Sequence, residues 1–275
     1  MAQNQVASDV GALYDQMSEV LMDVLGDNIH YGFWTDDSDD TSVRDATDRL
    51  TDMVAERLNL PAGARVLDVG CGTGRSTLRI AERHQAHVTG VTVSPREVQL
   101  AMAQPGVGLG SGQAAFQLAD AMALHFPDAH FDGAYAIESI EHMPDRCQAI
   151  TEIGRTLRPG ARLVIQDFFL AAELTPAEHE VMSAIWDTFE FRPFGMPSDF
   201  ERDIDAAGFE LVAFEDITPN LRRNGLLIIA ALRRTVAESE LDEEVLAFLA
   251  DLADKLERVA EAGVLRHAYI TARRR

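Results

Sequence analysis

The chain has 275 residues, 47% hydrophobic and 25% charged, which are ordinary globular proportions. Its formal net charge of −21 argues against nucleic acid as a partner, because proteins bind that polyanion by neutralising phosphates with Lys and Arg; the excess acid reads as solubility. Cys71 and Cys147 make no disulfide framework and stand in no Cys-x-x-Cys spacing, so they read as space-filling thiols and no metal is expected. Met1 to Val10 lacks a basic-then-apolar leader, and the longest apolar run, Leu226 to Leu232, is far too short to span a bilayer. The expectation is a cytoplasmic protein with no membrane partner.

Leu13, Met17, Val20, Leu21, Val24 and Leu25 place a helix over Val10 to Leu25, stopped at Gly26. Asn28 to Trp34 (N-I-H-Y-G-F-W) concentrates rings before the acidic loop Asp36 to Asp40, and reads either as a clamp at the edge of a core or as a lid. A second amphipathic helix covers Val43 to Leu58. From Ala64 strands and helices alternate. Val66 to Gly74 (V-L-D-V-G-C-G-T-G) is a strand and glycine turn, and Arg75 to Arg83 its helix. His87 to Ser94 is a strand and Pro95 to Ala103 a helix, followed by a flexible loop, Gln104 to Gly112. Ala115 to Asp120 and Phe131 to Ile137 are strands, Pro144 to Leu157 a helix closed by Arg158-Pro159-Gly160, and Arg162 to Phe168 a fifth strand.

Beyond Phe168 the regularity breaks into helices over Thr175 to Phe191 and Pro197 to Ala207 and a strand over Phe209 to Ile217. Mostly helical residues, Leu221 to Ala260, precede a final edge strand, Leu265 to Arg273. The expected fold is α/β: one Rossmann-like doubly wound sheet, mostly parallel with an antiparallel last strand, plus N-terminal helices and a helical cap. The expected single domain divides into 1–60 (helices and lid), 64–168 (cofactor core), 169–208 and 219–262 (cap), and 209–217 and 265–273 (final strands).

Three features favour S-adenosylmethionine over a dinucleotide. The glycines read Gly-x-Gly-x-Gly rather than Gly-x-Gly-x-x-Gly. Asp68 stands two residues before the first glycine, helpful to an ammonium and unhelpful to a pyrophosphate. Asp120, ending the third strand, can accept a hydrogen bond from an adenine amino group.

With these motifs and with G-V-T-V-S-P-R-E-V (90–98), A-D-A-M-A-L-H-F-P-D (119–128), A-I-E-S-I-E-H-M-P-D (136–145) and L-R-P-G-A-R-L-V-I (157–165), the sequence resembles the class I S-adenosylmethionine-dependent methyltransferases. It is most similar to their small-molecule branch, which includes the rebeccamycin sugar O-methyltransferase and the tocopherol methyltransferases. The resemblance runs from Asn28 to Asp167 and implies the cofactor S-adenosyl-L-methionine. Asp68, Gly70, Cys71 and Gly72 would face its methionine moiety and sulfur, with Tyr31 covering that end. Thr92, Val93 and Ser94 would meet the ribose, where many relatives have an acid, with help from Gln99. Asp120, Ala121 and Met122 would read the adenine, and Ile137 would lie near the sulfonium.

Candidate bases are His142, Glu141 and Asp167. In the sugar methyltransferase both positions before Met-Pro-Asp are His, and the first is the presumed base; here that position is Glu141. Trp186, Phe189, Phe191, Phe194 and Met196 read as acceptor pocket or as plain cap core, and Leu241, Val245, Phe248, Leu249, Leu252 and Leu256 as a face packing on the cap or on a second copy in a homodimer. The expected activity is methylation of a small, largely apolar natural product, O-methylation favoured. C- or N-methylation, or a cyclase of the spinosyn type that keeps the cofactor without transferring methyl, are the alternatives.

Overall fold

The computed structural model describes residues 8–15, 29–107, 113–239 and 241–275. Residues 8–15 are helical (α1); the rest of the first expected helix, its stop at Gly26, and residues 108–112 of the expected loop lie outside the described residues. Then follow α2 (Val43–Leu58), β1 (Arg65–Val69), α3 (Arg75–His84), β2 (His87–Thr92), α4 (Pro95–Ala103), β3 (Gln113–Leu118) and β4 (Phe131–Ile137). A 3-10 turn (Ile140–His142), α5 (Arg146–Thr156), β5 (Leu157–Leu170), α6 (Pro176–Phe189), α7 (Pro197–Ala206), β6 (Phe209–Asp216), α8 (Thr218–Glu238), α9 (Glu243–Ala262) and β7 (Leu265–Arg274) complete the order.

Local chemistry sets the helix ends. The Ser42 hydroxyl accepts the Asp45 N–H to start α2, and Asn59 closes it in the left-handed region. Ser94 accepts the Glu97 N–H with Pro95 in the first turn of α4, and Thr175 and Glu178 form a capping box on α6.

Among the described residues the strands form one seven-stranded sheet in the order β3-β2-β1-β4-β5-β7-β6. β1 to β5 are parallel neighbours, and β7 is antiparallel to both β5 and β6. β7 is therefore not the edge strand expected from its alternation; it lies inside the sheet and β6 is at the edge. Residues 267–272 are all buried, whereas β6 is mostly half-exposed. The Arg-Pro-Gly after α5 also differs from expectation. It opens β5, where the pairing steps from Phe131–Leu157 to Gly133–Arg162, and the extra residues bulge where Pro159 has no N–H to give.

The period-two alternation of the strands divides the core. Leu67, Ile165 and Ile270 face one side, packed under α5 and α7 with Ile150, Ile153, Phe200 and Ile204. Val66, Val164 and Tyr269 face the other, against Leu50, Val54 and Leu58 of α2. Each of those α2 side chains is at most 2% exposed and contributes roughly 1.5–3 kcal/mol by burial. A third cluster joins Phe168 and Leu170 to α6, α8 and α9 through Met182, Trp186, Leu232, Leu249 and Leu252. The segment expected to be cap throughout 169–208 thus divides: α6 enters this third cluster, while α7 packs in the layer beneath the sheet.

Candidate functional site

β1 has β2 on one side and β4 on the other, so the chain reverses its winding direction at the C-terminal end of β1. A ligand crevice belongs at such a point, and an open cleft lies there, its empty space about 1110 Å³ with the solvent at its mouth included. Asp68, Gly70, Cys71, Gly72, Thr92, Val93, Ser94, Asp120, Ala121, Met122, Ile137 and His142 all line it.

The turn after β1 is built for close approach. Gly70 has φ 77°, and a Cβ there would stand 2.3 Å from Cβ of Ser139. The N–H groups of Gly70 and Cys71 both donate to Val91 O at 2.9 Å, tying the turn to β2. Ser139 Oγ donates to Val69 O at 2.6 Å and ties it to the segment after β4.

Asp68 is buried, and its Oδ2 accepts from Thr77 Oγ1 at 2.5 Å and Tyr135 OH at 2.7 Å. Burial pushes its carboxyl up to about 6, the two hydroxyls only partly offsetting that. Asp120 Oδ1 accepts the Met122 N–H at 2.8 Å, which fixes the loop carrying Ala121 and Met122 along the cleft.

Four expected residues are placed elsewhere. Gln99 is exposed on α4 and accepts from Arg96 Nη1 at 3.3 Å, because helical spacing turns it away from the strand ends. Tyr31 does not line the cleft; its ring packs edge-on against Phe168 and beside His267. Glu141 and Asp167 line a second cavity beyond the 3-10 turn, with Arg146, Arg192, Phe194 and Asp203.

The three candidate bases are thus sorted. His142 faces the cofactor cleft, its Nε2 3.0 Å from Tyr14 OH, and burial lowers its imidazole to about 4, so it is neutral near pH 7. Burial, then the charge of Asp167, pushes the Glu141 carboxyl well above the usual carboxylate range. Asp167 is raised mainly by burial; its carboxylate accepts N–H groups from Phe168 at 2.7 Å and Ile140 at 3.1 Å, gripping the turn that carries His142.

Several cleft residues escaped the sequence reading. Glu97, 5% exposed, accepts from Thr92 Oγ1 at 2.5 Å. The acid missing at the end of β2 therefore arrives from the first turn of α4, three residues after its cap, and that spacing was the available signal. Glu138 has φ 45° and accepts the Tyr31 N–H at 3.1 Å; burial raises its carboxyl to about 8. His30 accepts or donates at Ser76 Oγ, 3.1 Å away, and burial holds it neutral, with its imidazole at about 4. From α1, Tyr14 faces His142, and Asp15 accepts from Ser94 Oγ at 2.5 Å and Arg96 N at 3.0 Å. Among the described residues no group of three or more His, Cys, Asp or Glu could hold a metal, and no helix is long and apolar enough to cross a membrane.

This fold and cleft define an α/β protein that holds a nucleoside-type cofactor at a topological switch point. A family described as a methyltransferase domain matches residues 67–165. The O-methyltransferase rstn1 of Aspergillus nomiae is 43% identical, over 79% of this chain and 96% of its own. The O-methyltransferase resE of Aspergillus sclerotiorum is 38% identical over the whole of both. The crystal structure of the [4+2]-cyclase SpnF is 32% identical and superposes with a TM-score of 0.80, over 96% of this chain and 94% of that one. The chain belongs to the class I S-adenosylmethionine-dependent methyltransferases; it is an enzyme, and S-adenosylmethionine is its cofactor.

Proposed function

We propose that the protein methylates a hydroxyl oxygen of a small, largely apolar natural product in the cytoplasm, with His142 as the base. The observation that carries this reading is the neutral imidazole of His142 in the cofactor cleft, with an oxygen, Tyr14 OH, already 3.0 Å from Nε2. An acceptor hydroxyl brought to the same distance would be within reach for proton transfer. The O-methyltransferase relatives support the same reaction.

The cleft suits the cofactor. Asp68 would take the ammonium, the turn from Gly70 to Gly72 would pass the methionine chain, and Thr92 with Glu97 would hold the ribose. Asp120 and the Ala121 N–H would read the adenine against the apolar Met122. The bound sulfonium supplies a methyl group already activated for in-line displacement. The protein's share is to align the acceptor, exclude water and take a proton. Alignment is worth ~7–11 kcal/mol and a general base about 10²–10⁴-fold in rate, so the walls matter more than the base. In this reading Asp167 is a positioning residue acting through the Ile140 N–H, and Glu141, which lines the cavity on the far side of the turn, takes no proton from the acceptor.

The test is incubation with labelled S-adenosylmethionine and a panel of hydroxylated polyketides and terpenoid alcohols, products read by mass. A gain of one methylene that falls about 10²–10⁴-fold in His142→Ala supports the reading. A second reading, ring closure without methyl transfer, is favoured by the likeness to SpnF over nearly the whole chain; a product of unchanged mass would establish it instead.

A further inference from the structure

Among the described residues the cofactor cleft is lined by four carboxyl side chains, Asp68, Glu97, Asp120 and Glu138, and by one Lys or Arg, Arg75, which is held by Asp48 at 3.1 Å. A pocket of that sign suits a cationic ligand. Three of the acids have partners in the placement given above: Asp68 at the ammonium, Glu97 at the ribose and Asp120 at the adenine. Glu138 has none, although part of its surface lines the cleft.

The backbone fixes where this acid stands. Glu138 follows the last residue of β4, which lies beside β1 with Tyr135 paired to Asp68. It holds φ 45°, a costly conformation for a residue with a side chain. The next residue, Ser139, is the one whose Cβ a Cβ on Gly70 would meet at 2.3 Å. Glu138 is therefore next to the glycine turn on its β4 side, while Thr92 and Ser94 line the cleft on the β2 side. In S-adenosylmethionine the sulfur joins the methionine chain to the ribose. With the chain passing Gly70 to Gly72 and the ribose at Thr92 and Glu97, the sulfur would come over the end of β1. Glu138 is the cleft carboxyl beside that point which the other contacts leave over.

We propose that Glu138 reads the positive charge of the sulfonium, and so lets the cleft tell S-adenosylmethionine from S-adenosylhomocysteine, whose sulfur is neutral. Two bonds hold the carboxyl in place: the Tyr31 N–H donates to Oε1 at 3.1 Å, and the Gln166 side chain bonds to it as well. The titratable groups whose charges act with it are Tyr14 of α1, Tyr31, Glu141 of the 3-10 turn, Asp167 of β5 and Tyr269 of β7; no Lys or Arg is among them. With burial raising it to about 8, the carboxyl holds a proton near pH 7. An opposite charge within ~4–6 Å lowers a carboxyl by about 1–3 pH units. Glu138 therefore gives its proton to solvent when the sulfonium binds, and takes one back when the neutral product is left. The inference rests on the cofactor placement proposed above and needs no acceptor.

The experiment is calorimetric binding of S-adenosylmethionine and of S-adenosylhomocysteine to the full chain, in buffers of unequal ionisation enthalpy at about pH 6, 7 and 8. Near pH 7 S-adenosylmethionine should release most of a proton more than S-adenosylhomocysteine. The preference for S-adenosylmethionine should rise with pH and level off above about 8, because below that value the acid must first be ionised. Glu138→Gln should abolish the extra proton and the slope, and lower the preference roughly 10-fold near pH 7. Asp68 drops out of this comparison, since both ligands carry the ammonium it would take. A Glu138 that only holds Tyr31 in place would cost both ligands equally on substitution, and that result overturns the proposal. Equal proton release by the two ligands on the unaltered protein overturns it without any variant. Neither measurement involves methyl transfer, so a failure here and a failure of the methylation reading are told apart.

Discussion

The Tyr14 hydroxyl lies 3.0 Å from Nε2 of His142, with the two rings edge-on and their centroids 5.3 Å apart. A residue of α1 and a residue of the turn after β4 therefore meet across the mouth of the cofactor cleft. Asp15, one residue on, holds Ser94 on the opposite rim. Tyr14→Phe removes one neutral hydrogen bond and leaves Nε2 unpaired, so S-adenosylhomocysteine should dissociate roughly 2- to 10-fold faster. Stopped-flow displacement measures this; an unchanged rate means that α1 does not retain the cofactor.

Glu97 and Gln99 make a controlled pair, two residues apart on α4. Glu97 is buried in the cleft with its carboxylate on Thr92, while Gln99 is exposed. Charge-assisted bonds to a ligand are worth about 1.5–3 kcal/mol, so Glu97→Ala should weaken S-adenosylhomocysteine roughly 10- to 100-fold by calorimetry. Gln99→Ala should match the unaltered protein. Equal losses in both would mean that the ribose lies nearer α4's outer face than its packing indicates.

The Glu97 and Gln99 contrast shows what was legible in the sequence. Strand and helix alternation, the glycine turn, Asp68 and Asp120 were readable because each depends on local spacing along one strand–helix unit. Which of two polar residues in a helix's first two turns points back toward a strand end depends on how the helix docks, and one-dimensional spacing does not carry that. The same holds for the bases. Glu141 and His142 are sequence neighbours, yet a 3-10 turn sends them into different cavities. β7 was placed at the edge because the alternation of Leu265 to Arg273 reads as a strand with one open face, although residues 267–272 are buried between β5 and β6.

Gly70 is a steric test of the cradle. Its φ of 77° strains any L-residue, and an added Cβ meets the Ser139 Cβ at 2.3 Å. Ser139 cannot easily retreat, because its hydroxyl donates to Val69 O at 2.6 Å. Backbone strain of about 1–2 kcal/mol and overpacking of about 1–3 kcal/mol add to a loss of ~2–5 kcal/mol for Gly70→Ala. Urea unfolding checks the sum. Pairing it with Ser139→Gly should recover the overpacking and leave the backbone strain.

Glu138 couples stability to pH. Burial raises its carboxyl from 4.5 to about 8 in the folded chain, the Tyr31 N–H only partly offsetting this. Between those values the folded state binds a proton that the unfolded state has released, so raising the pH destabilises the fold. The contribution is fully present below the unfolded value and is gone above the folded one. Glu138→Gln keeps an oxygen for the Tyr31 N–H and has no proton to lose. The variant and the unaltered protein should therefore unfold alike in acid, and the variant should gain by up to ~1.4 kcal/mol per pH unit as the pH rises toward 8. Urea midpoints near about pH 4, 6 and 9 give the comparison. Parallel stability curves would show that Glu138 ionises as an ordinary carboxyl, and hence that the end of β4 is wetter than its burial indicates.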